Sequence, residues 1–207
     1  MSQKLKRLVR PLAAAVAMTL ILGIAAYLYG RPDPARADDE QYKILSDYIS
    51  TGLTGDSHDL GSRDGLVVIL GHTTVTNMLV SKNRLNEYRE LIATLPHARR
   101  NLALTSQSPI LSLLVRNLCS DQLQEHFTIP AQYELATDTE IASGFQQRFP
   151  RNYGYLTFTR VGFNRDLTEA VFYTEHVCGL CGGGKYVYMR KLKGGWTVQA
   201  ESGTWIS

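Results

Sequence analysis

The residues best suited to chemistry lie close together near the C-terminus. The stretch "HVCGLCGGGKYVYM", from His176 to Met189, holds one histidine, two cysteines and four glycines. Cys178 and Cys181 form a C-x-x-C pair, which is compatible with thiol–disulfide exchange, metal binding or a tight turn. The elements around the pair must decide among these three possibilities.

A thiol-redox role requires a feature that this stretch lacks. In C-x-x-C oxidoreductases the first cysteine begins a helix, whose dipole stabilises the thiolate. Here glycines follow Cys181, and the next residues, Lys185 to Leu192, are typical of a strand. We therefore predict a hairpin turn with a structural Cys178–Cys181 disulfide or an unreacted pair. The glycines of this turn, which are Gly179, Gly182, Gly183 and Gly184, would supply positive φ angles.

A metal site would need a fourth ligand beside His176, Cys178 and Cys181. The candidates for this fourth ligand are His72, Cys119 and His126, and none of them belongs to a second C-x-x-C or H-x-x-x-H motif. We therefore predict no metal and no cofactor. Cys119 follows an apolar run, so we expect it to be a buried free thiol, with pairing to either other cysteine left open.

Catalytic motifs are absent from the sequence. It contains no G-x-S-x-G, H-E-x-x-H or G-x-x-x-x-G-K-[ST]. One enzymatic alternative stays open, a hydrolase or isomerase in which His72 works with Glu169 or Glu175. The loop that holds Asp56, His58, Asp59 and Asp64 lacks the residue order of a calcium loop, so we read it as a solvated polar loop.

Strands must position the C-x-x-C stretch. Four β-rich runs joined by short turns predict a four-stranded antiparallel meander. The runs are Tyr155–Phe163, Thr168–Val177, Lys185–Leu192 and Trp196–Ile206. Most of the aromatic residues in these runs should pack within the sheet. If an uncovered face carried several of the tyrosines, it would suit a peptide or a glycan.

The preceding residues alternate between helix and strand patterns. "LVVIL" (Leu66–Leu70) and "AQYELAT" predict strands. Helical spacing predicts four helices. The first begins at about residue 41 with Asp38 and Asp39 at its start, and the second ends at Pro96. The third covers residues 108–118, and the fourth covers residues 138–149 with Asp138 or Thr139 as its N-cap. The fold class is therefore α+β, with helices packed on one face of an antiparallel sheet that ends in the meander.

The N-terminal segment predicts export. Leu12–Tyr29 is an uncharged run that just reaches the length of a membrane-spanning helix. Four cations precede it, so the tail of residues 1–11 should be cytoplasmic and the chain after the span should lie outside. Residues 30–41 then read as an extended linker and residues 42–207 as the extracytoplasmic domain. The alternative is a secreted protein cleaved after Ala37.

The charge distribution argues against a nucleic-acid partner. The formal net charge of +3 comes from cations before the apolar run, which are Lys4, Lys6, Arg7 and Arg10. The domain itself is close to neutral, whereas nucleic-acid binding requires a clustered basic face. The expected partners are the membrane, through Leu12–Tyr29, and an unidentified envelope component or foreign protein.

The C-terminal pattern resembles a family of uncharacterised bacterial exported proteins. The shared motifs are V-G-F-N, A-hydrophobic-hydrophobic-Y, C-G-x-x-C-G-x-G and a final W…W-[IV]-S, which here are Val161–Asn164, Ala170–Tyr173, Cys178–Gly184, Trp196 and Trp205–Ser207. The resemblance implies that the glycine turn belongs to the fold and brings no activity with it. The cation-flanked apolar run predicts a bacterial inner-membrane protein with a periplasmic domain. Because no catalytic motif is present in this tethered α+β domain, we predict a non-enzymatic binding or interaction role.

Overall fold

A seven-stranded β-sheet lies at the centre of the structure, a computed structural model that describes residues 32–54, 65–74, 84–178 and 181–206. These ranges belong to the unit Pro32–Ser207. The predicted membrane span, the acidic loop residues 56–64 and Gly179 lie outside the described residues. Among the helices that are described, none is long and apolar enough to cross a bilayer.

The chain alternates between helices and strands before it ends in strands. The helices are α1 Pro34–Thr54, α2 Arg84–Asn101, α3 Ser108–Arg116, α4 Asp138–Ala142 and α5 Phe145–Arg148. The strands are β1 Leu66–Leu70, β2 Gln132–Ala136, β3 Gly154–Phe158, β4 Gly162–Phe163, β5 Glu169–Cys178, β6 Gly183–Leu192 and β7 Gly195–Ile206. Their order across the sheet is β2-β1-β3-β5-β6-β7, with β4 also paired to β5.

The predicted C-terminal run of strands is confirmed. β5 pairs antiparallel with β3 and β6, and β6 pairs antiparallel with β7. The first predicted strand is divided into β3 and β4, which both pair with β5. The division falls where the Thr159 hydroxyl accepts a hydrogen bond from the Tyr173 N–H at 2.9 Å. This side chain takes the place of a main-chain acceptor in the ladder, so the strand is interrupted there.

The α+β class is confirmed, but the sheet is mixed rather than antiparallel. β1 pairs parallel with β2 and with β3. Parallel neighbours need a crossover connection. Helices α2 and α3 lie between β1 and β2 in the chain, and α4 and α5 lie between β2 and β3. The sequence patterns predicted most of these elements, yet they carried no information on the direction in which β1 would pair.

Helix α1 begins earlier than the sequence indicated. Pro34 is its first residue, and the Asp33 carboxylate accepts a hydrogen bond from the Ala35 N–H at 3.0 Å. Asp33 therefore caps the helix, and Pro34 occupies the first helical position, which proline favours. Residues 34–40 of the predicted linker are thus helical, and Asp38 and Asp39 lie beyond the first turn rather than at the helix start.

Helix α2 passes through the proline that was expected to end it. Pro96 lies inside α2, which continues to Asn101. An interior proline removes one helical hydrogen bond and costs about 3 kcal/mol. The residues around it, Leu95, Ala98 and Leu102, are buried in one apolar cluster. Their packing offsets the cost of the proline, and this compensation is invisible in the local sequence.

The helix predicted over residues 138–149 is two short helices. Thr137 caps α4 through a capping box with Glu140, so neither Asp138 nor Thr139 is the N-cap. Gly144, at φ 127°, separates α4 from α5. A backbone angle in that region breaks a right-handed helix and favours glycine. The predicted helix over 108–118 is confirmed as α3.

Helices cover both faces of the sheet, where one covered face was expected. Ala170 and Phe172 on β5 pack in a cluster with α1, whereas the alternating residues Val171 and Tyr173 pack in a cluster with α2 and α3. Alternate residues of a strand point to opposite faces. All three described core clusters draw on residues from Ala37 onward, so a chain that begins at Pro32 contains these cores.

Candidate functional site

The C-x-x-C stretch joins two paired strands. β5 ends at Cys178 and β6 begins at Gly183, with His176 opposite Gly183. Cys178 and Cys181 lie at disulfide-bonding distance, with their Cα atoms 5.4 Å apart. The chain runs from Cys181 directly into strand β6. The helix dipole that activates the first thiol in redox C-x-x-C motifs therefore has no counterpart after this turn.

Gly184 is required for a reason that differs from the predicted one. Neither Gly183 nor Gly184 has a positive φ, so these two do not supply the left-handed conformation expected of the turn. A Cβ atom at Gly184 would instead overlap the Tyr173 hydroxyl and Nε1 of Trp205. Glycine is needed there because two aromatic side chains approach the backbone.

Those aromatic side chains belong to a hydrogen-bond network around a buried carboxylate. Glu175, which is 1% exposed, accepts hydrogen bonds from the Tyr173 hydroxyl at 3.0 Å and from Nε1 of Trp205 at 3.2 Å. Trp205 Nε1 also donates to the Tyr173 oxygen at 3.0 Å, and Thr204 lies 2.9 Å from that oxygen. Burial, and then the charge of Glu175, raise the pKa of Tyr173, so its hydroxyl remains a donor.

A cavity of about 590 Å³ lies beside the C-x-x-C turn. One wall is the end of α1, with Tyr48, Thr51 and Gly52. The opposite wall is the turn itself, from Cys181 to Gly184, and the floor is formed by residues of four strands, which are Leu156, Thr174, His176, Lys185, Val198, Glu201, Gly203, Trp205 and Ile206. A volume of this size is typical of small-molecule sites.

The charged groups of the cavity neutralise each other. Nζ of Lys185 lies 2.9 Å from both carboxylate oxygens of Glu201. The two side chains are 40% and 37% exposed, which marks the side on which the cavity meets solvent. Lys185 Nζ also lies 5.8 Å from the centroid of the Tyr48 ring. The cavity therefore combines an ion pair at its mouth with a lining that is otherwise mostly apolar or aromatic and includes His176 and Thr174.

Tyr48 is the most enclosed polar residue of the α1 wall. It is 5% exposed, and its ring packs edge-on against Phe172 and Phe158, with centroids 5.2 and 6.4 Å away. Burial, and then the charge of Glu201, raise the pKa of Tyr48. The hydroxyl thus lies within electrostatic reach of the ion pair and keeps its proton at any physiological pH.

The acid and base residues of the enzymatic alternative lie in separate surroundings. Nδ1 of His72 is 3.8 Å from Oδ2 of Asp138. Glu169 accepts hydrogen bonds from hydroxyls, which belong to Thr105, Ser106 and Tyr188. Glu175 belongs to the network described above. The carboxylate beside His72 is therefore Asp138, which the sequence indicated only as a candidate N-cap.

Cys119 and the tyrosines lie in environments that differ from those expected. Cys119 is free and exposed rather than buried. The tyrosines of β3, β5 and β6, which are Tyr155, Tyr173, Tyr186 and Tyr188, are buried, so they offer no open aromatic face for a peptide or a glycan. In the part of the chain that the structure describes, no group of three or more His, Cys, Asp or Glu side chains is placed to hold a metal ion.

The sequence indicated the wall of the cavity that the C-x-x-C turn forms, but not the wall that α1 forms. The C-x-x-C stretch was singled out by its composition, and it does line the cavity. Tyr48 was only one member of a helical stripe, and Lys185, Glu201 and Trp205 were ordinary strand residues. Their meeting depends on how α1 crosses the sheet, which no local pattern reports.

Comparison with known proteins adds no relative. No family model, curated protein or solved structure matches the chain. The resemblance of its C-terminal pattern to bacterial exported proteins therefore stays a prediction. The function has to be argued from the cavity and its lining.

Proposed function

We propose that this chain is a membrane-anchored, extracytoplasmic binding module that holds an envelope component in the cavity beside the C-x-x-C turn. The observation that carries the proposal is the cavity of about 590 Å³ between α1 and the sheet. Its charged residues, Lys185 and Glu201, pair with each other. Such a lining suits reversible binding better than proton transfer, because neither group is held ready for a substrate.

Retention of the anchor is supported by the start of the folded domain. Ala37 is fully buried in the core beneath α1, and Asp33 caps that helix. Cleavage after Ala37 would remove the cap, the first turn and a core residue. A retained span at Leu12–Tyr29, preceded by four cations, keeps α1 whole and would leave the domain in the periplasm of a bacterial cell.

The topology is tested with a reporter fused after Ser207. Alkaline phosphatase, which is active only outside the cytoplasm, should be active in this fusion, and the fusion protein should sediment with membranes. Activity of a cytoplasmic reporter at the same position would overturn the export proposal. A mature chain that begins at Asp38 would replace the anchor with secretion.

Binding is tested by blocking the cavity from within. Gly203 lines the cavity, and an added Cβ there meets no atom within 4 Å, so Gly203→Trp should place a ring at the site without backbone overlap. Gly194 has equally open surroundings but does not line the cavity, so Gly194→Trp is the matched control. Native mass spectrometry of the chain purified from membranes should show a bound mass in wild type and control only. A mass that persists in Gly203→Trp, or is absent from all three, contradicts the proposal.

A further inference from the structure

Most polar groups that line the cavity already have partners within the protein. Thr51 Oγ1 donates to the Asp47 carbonyl at 2.8 Å, and Thr174 Oγ1 donates to the Thr157 carbonyl at 2.9 Å. The indole N–H of Trp205 is bonded to the Tyr173 oxygen and to Glu175. A ligand with many hydroxyls would therefore meet few groups ready to bond with it.

Tyr48 differs from these residues. It is 5% exposed and lines the cavity, and its hydroxyl has no hydrogen-bond partner among the described residues. The hydroxyl oxygen itself is not fully buried, so it opens to the cavity and can donate to an acceptor that a ligand brings. Its ring is fixed by Phe158 and Phe172, so the donor direction is set before any ligand arrives.

Apart from the ion pair at the mouth, His176, which has an interaction of its own within the protein, and Cys181, the remaining lining is apolar, aromatic or glycine. Leu156 and Val198 belong to the floor, and Ile206 lies at the edge. Ile206 is 91% exposed, so its side chain is available for contact with an apolar ligand. A ligand carboxylate would have to separate Lys185 from Glu201, whose ammonium and carboxylate groups lie 2.9 Å apart. An uncharged ligand leaves that pair intact.

We infer that the cavity takes an uncharged, mostly apolar, ring-containing molecule whose single carbonyl or ether oxygen accepts a hydrogen bond from the Tyr48 hydroxyl. This inference rests on the proposed binding function and adds the chemical class of the ligand. The rings contact the apolar floor and the Trp205 side, and the oxygen faces α1. The class excludes both anionic ligands and free saccharides.

The test uses four probes and the soluble chain 32–207, after a cooperative thermal melt has shown that it is folded. The probes are 2-acetylnaphthalene, its hydrocarbon analogue 2-ethylnaphthalene, the anion 2-naphthoate and the disaccharide cellobiose. The ketone should bind about 3- to 10-fold more tightly than the hydrocarbon, the gain expected of one hydrogen bond. Tyr48→Phe should abolish this difference and leave the affinity for 2-ethylnaphthalene unchanged.

The outcomes separate the ligand class from the function. If 2-naphthoate or cellobiose binds most tightly and Gly203→Trp blocks it, the cavity is a binding site and the inferred class is wrong. If Tyr48→Phe leaves the preference for the ketone intact, the assigned donor is wrong. If no probe binds, or Gly203→Trp blocks none of them, the cavity itself fails as a site and the proposed function fails with it.

Discussion

The buried strand tyrosines beneath α2 and α3 and Tyr48 on α1 differ in whether the hydroxyl has a partner. Beneath α2 and α3 every buried strand tyrosine has a partner: Tyr173 meets Glu175, Tyr186 meets Thr94 at 2.6 Å and Tyr188 meets Glu169 at 3.1 Å. Beneath α1, the Tyr48 hydroxyl borders the cavity and has no hydrogen-bond partner among the described residues. One face is closed and the other offers a donor.

This difference separates structural polar groups from functional ones. A buried hydrogen-bond network makes the fold rigid, and the loss of one member leaves the other polar groups without their partners. A single donor at a cavity contributes little to stability and becomes useful only when a ligand supplies the acceptor. The comparison predicts that similar substitutions on the two faces will have different consequences.

The largest loss of stability should come from a side chain at Gly184, which would fill the space that Tyr173 and Trp205 occupy. Gly184→Val places side-chain atoms where the Tyr173 hydroxyl and Trp205 Nε1 lie, so the variant should lose about 2–3 kcal/mol of unfolding free energy. Gly203→Val, on the neighbouring strand with no atom within 4 Å of the added Cβ, should stay within about 0.5 kcal/mol of wild type. Urea unfolding measures both. Equal losses would show that steric overlap is not the reason for glycine.

Removing one hydroxyl from each face is the direct test of the comparison. Tyr173→Phe takes a donor away from the buried carboxylate of Glu175, and we expect a loss of about 2 kcal/mol. Tyr48→Phe removes a hydroxyl that lacks a described partner, and its stability should change by less than about 0.5 kcal/mol. Thermal or urea unfolding gives both values. A larger loss for Tyr48→Phe would reverse the assignment of the two faces.

Alkaline pH should weaken the closed face through its tyrosines. Burial raises the pKa of Tyr186 from 10.0 to about 12, so the folded state holds this proton more tightly than the unfolded state does. The resulting stability is fully present below pH 10 and is lost as the pH rises towards 12, with about 1 kcal/mol gone at pH 11. Unfolding curves at pH 8 and pH 11 measure the loss. Tyr186→Phe should show a smaller decline between the two, and an unchanged decline would contradict the assignment.

The smallest effect should come from the cysteines. Cys178→Ser or Cys181→Ser opens a ring with only two intervening residues. The cost should be about 1 kcal/mol, below the usual 2–4, because the entropy that a disulfide removes from the unfolded chain falls with loop length. Melts of both variants beside Gly184→Val provide the ranking. If the cysteine variants lose more stability than Gly184→Val, the disulfide rather than the glycine holds the turn.

The sequence predicted the elements better than their boundaries. The alternation in "AQYELAT" and the β-rich runs of the last fifty residues correspond to β2 and to the strands from β3 to β7, because a half-buried strand leaves a period of two in the sequence. Pro96 was expected to end a helix and does not, since the burial of Leu95 and Ala98 offsets its cost. The start of α1 was misplaced because the Asp33 cap and Pro34 resemble an extended proline-containing linker.

Local patterns thus determined where the chain forms helices and strands and where a glycine turn joins β5 to β6. Only the tertiary structure decided that β1 pairs parallel, that Gly184 makes room for Tyr173 and Trp205, and that Tyr48 borders a cavity. These features join residues far apart in the sequence, such as Tyr48 on α1 and Glu201 on β7. Hydrophobic periodicity records which face of an element is buried, but it does not record which residue of another element lies opposite.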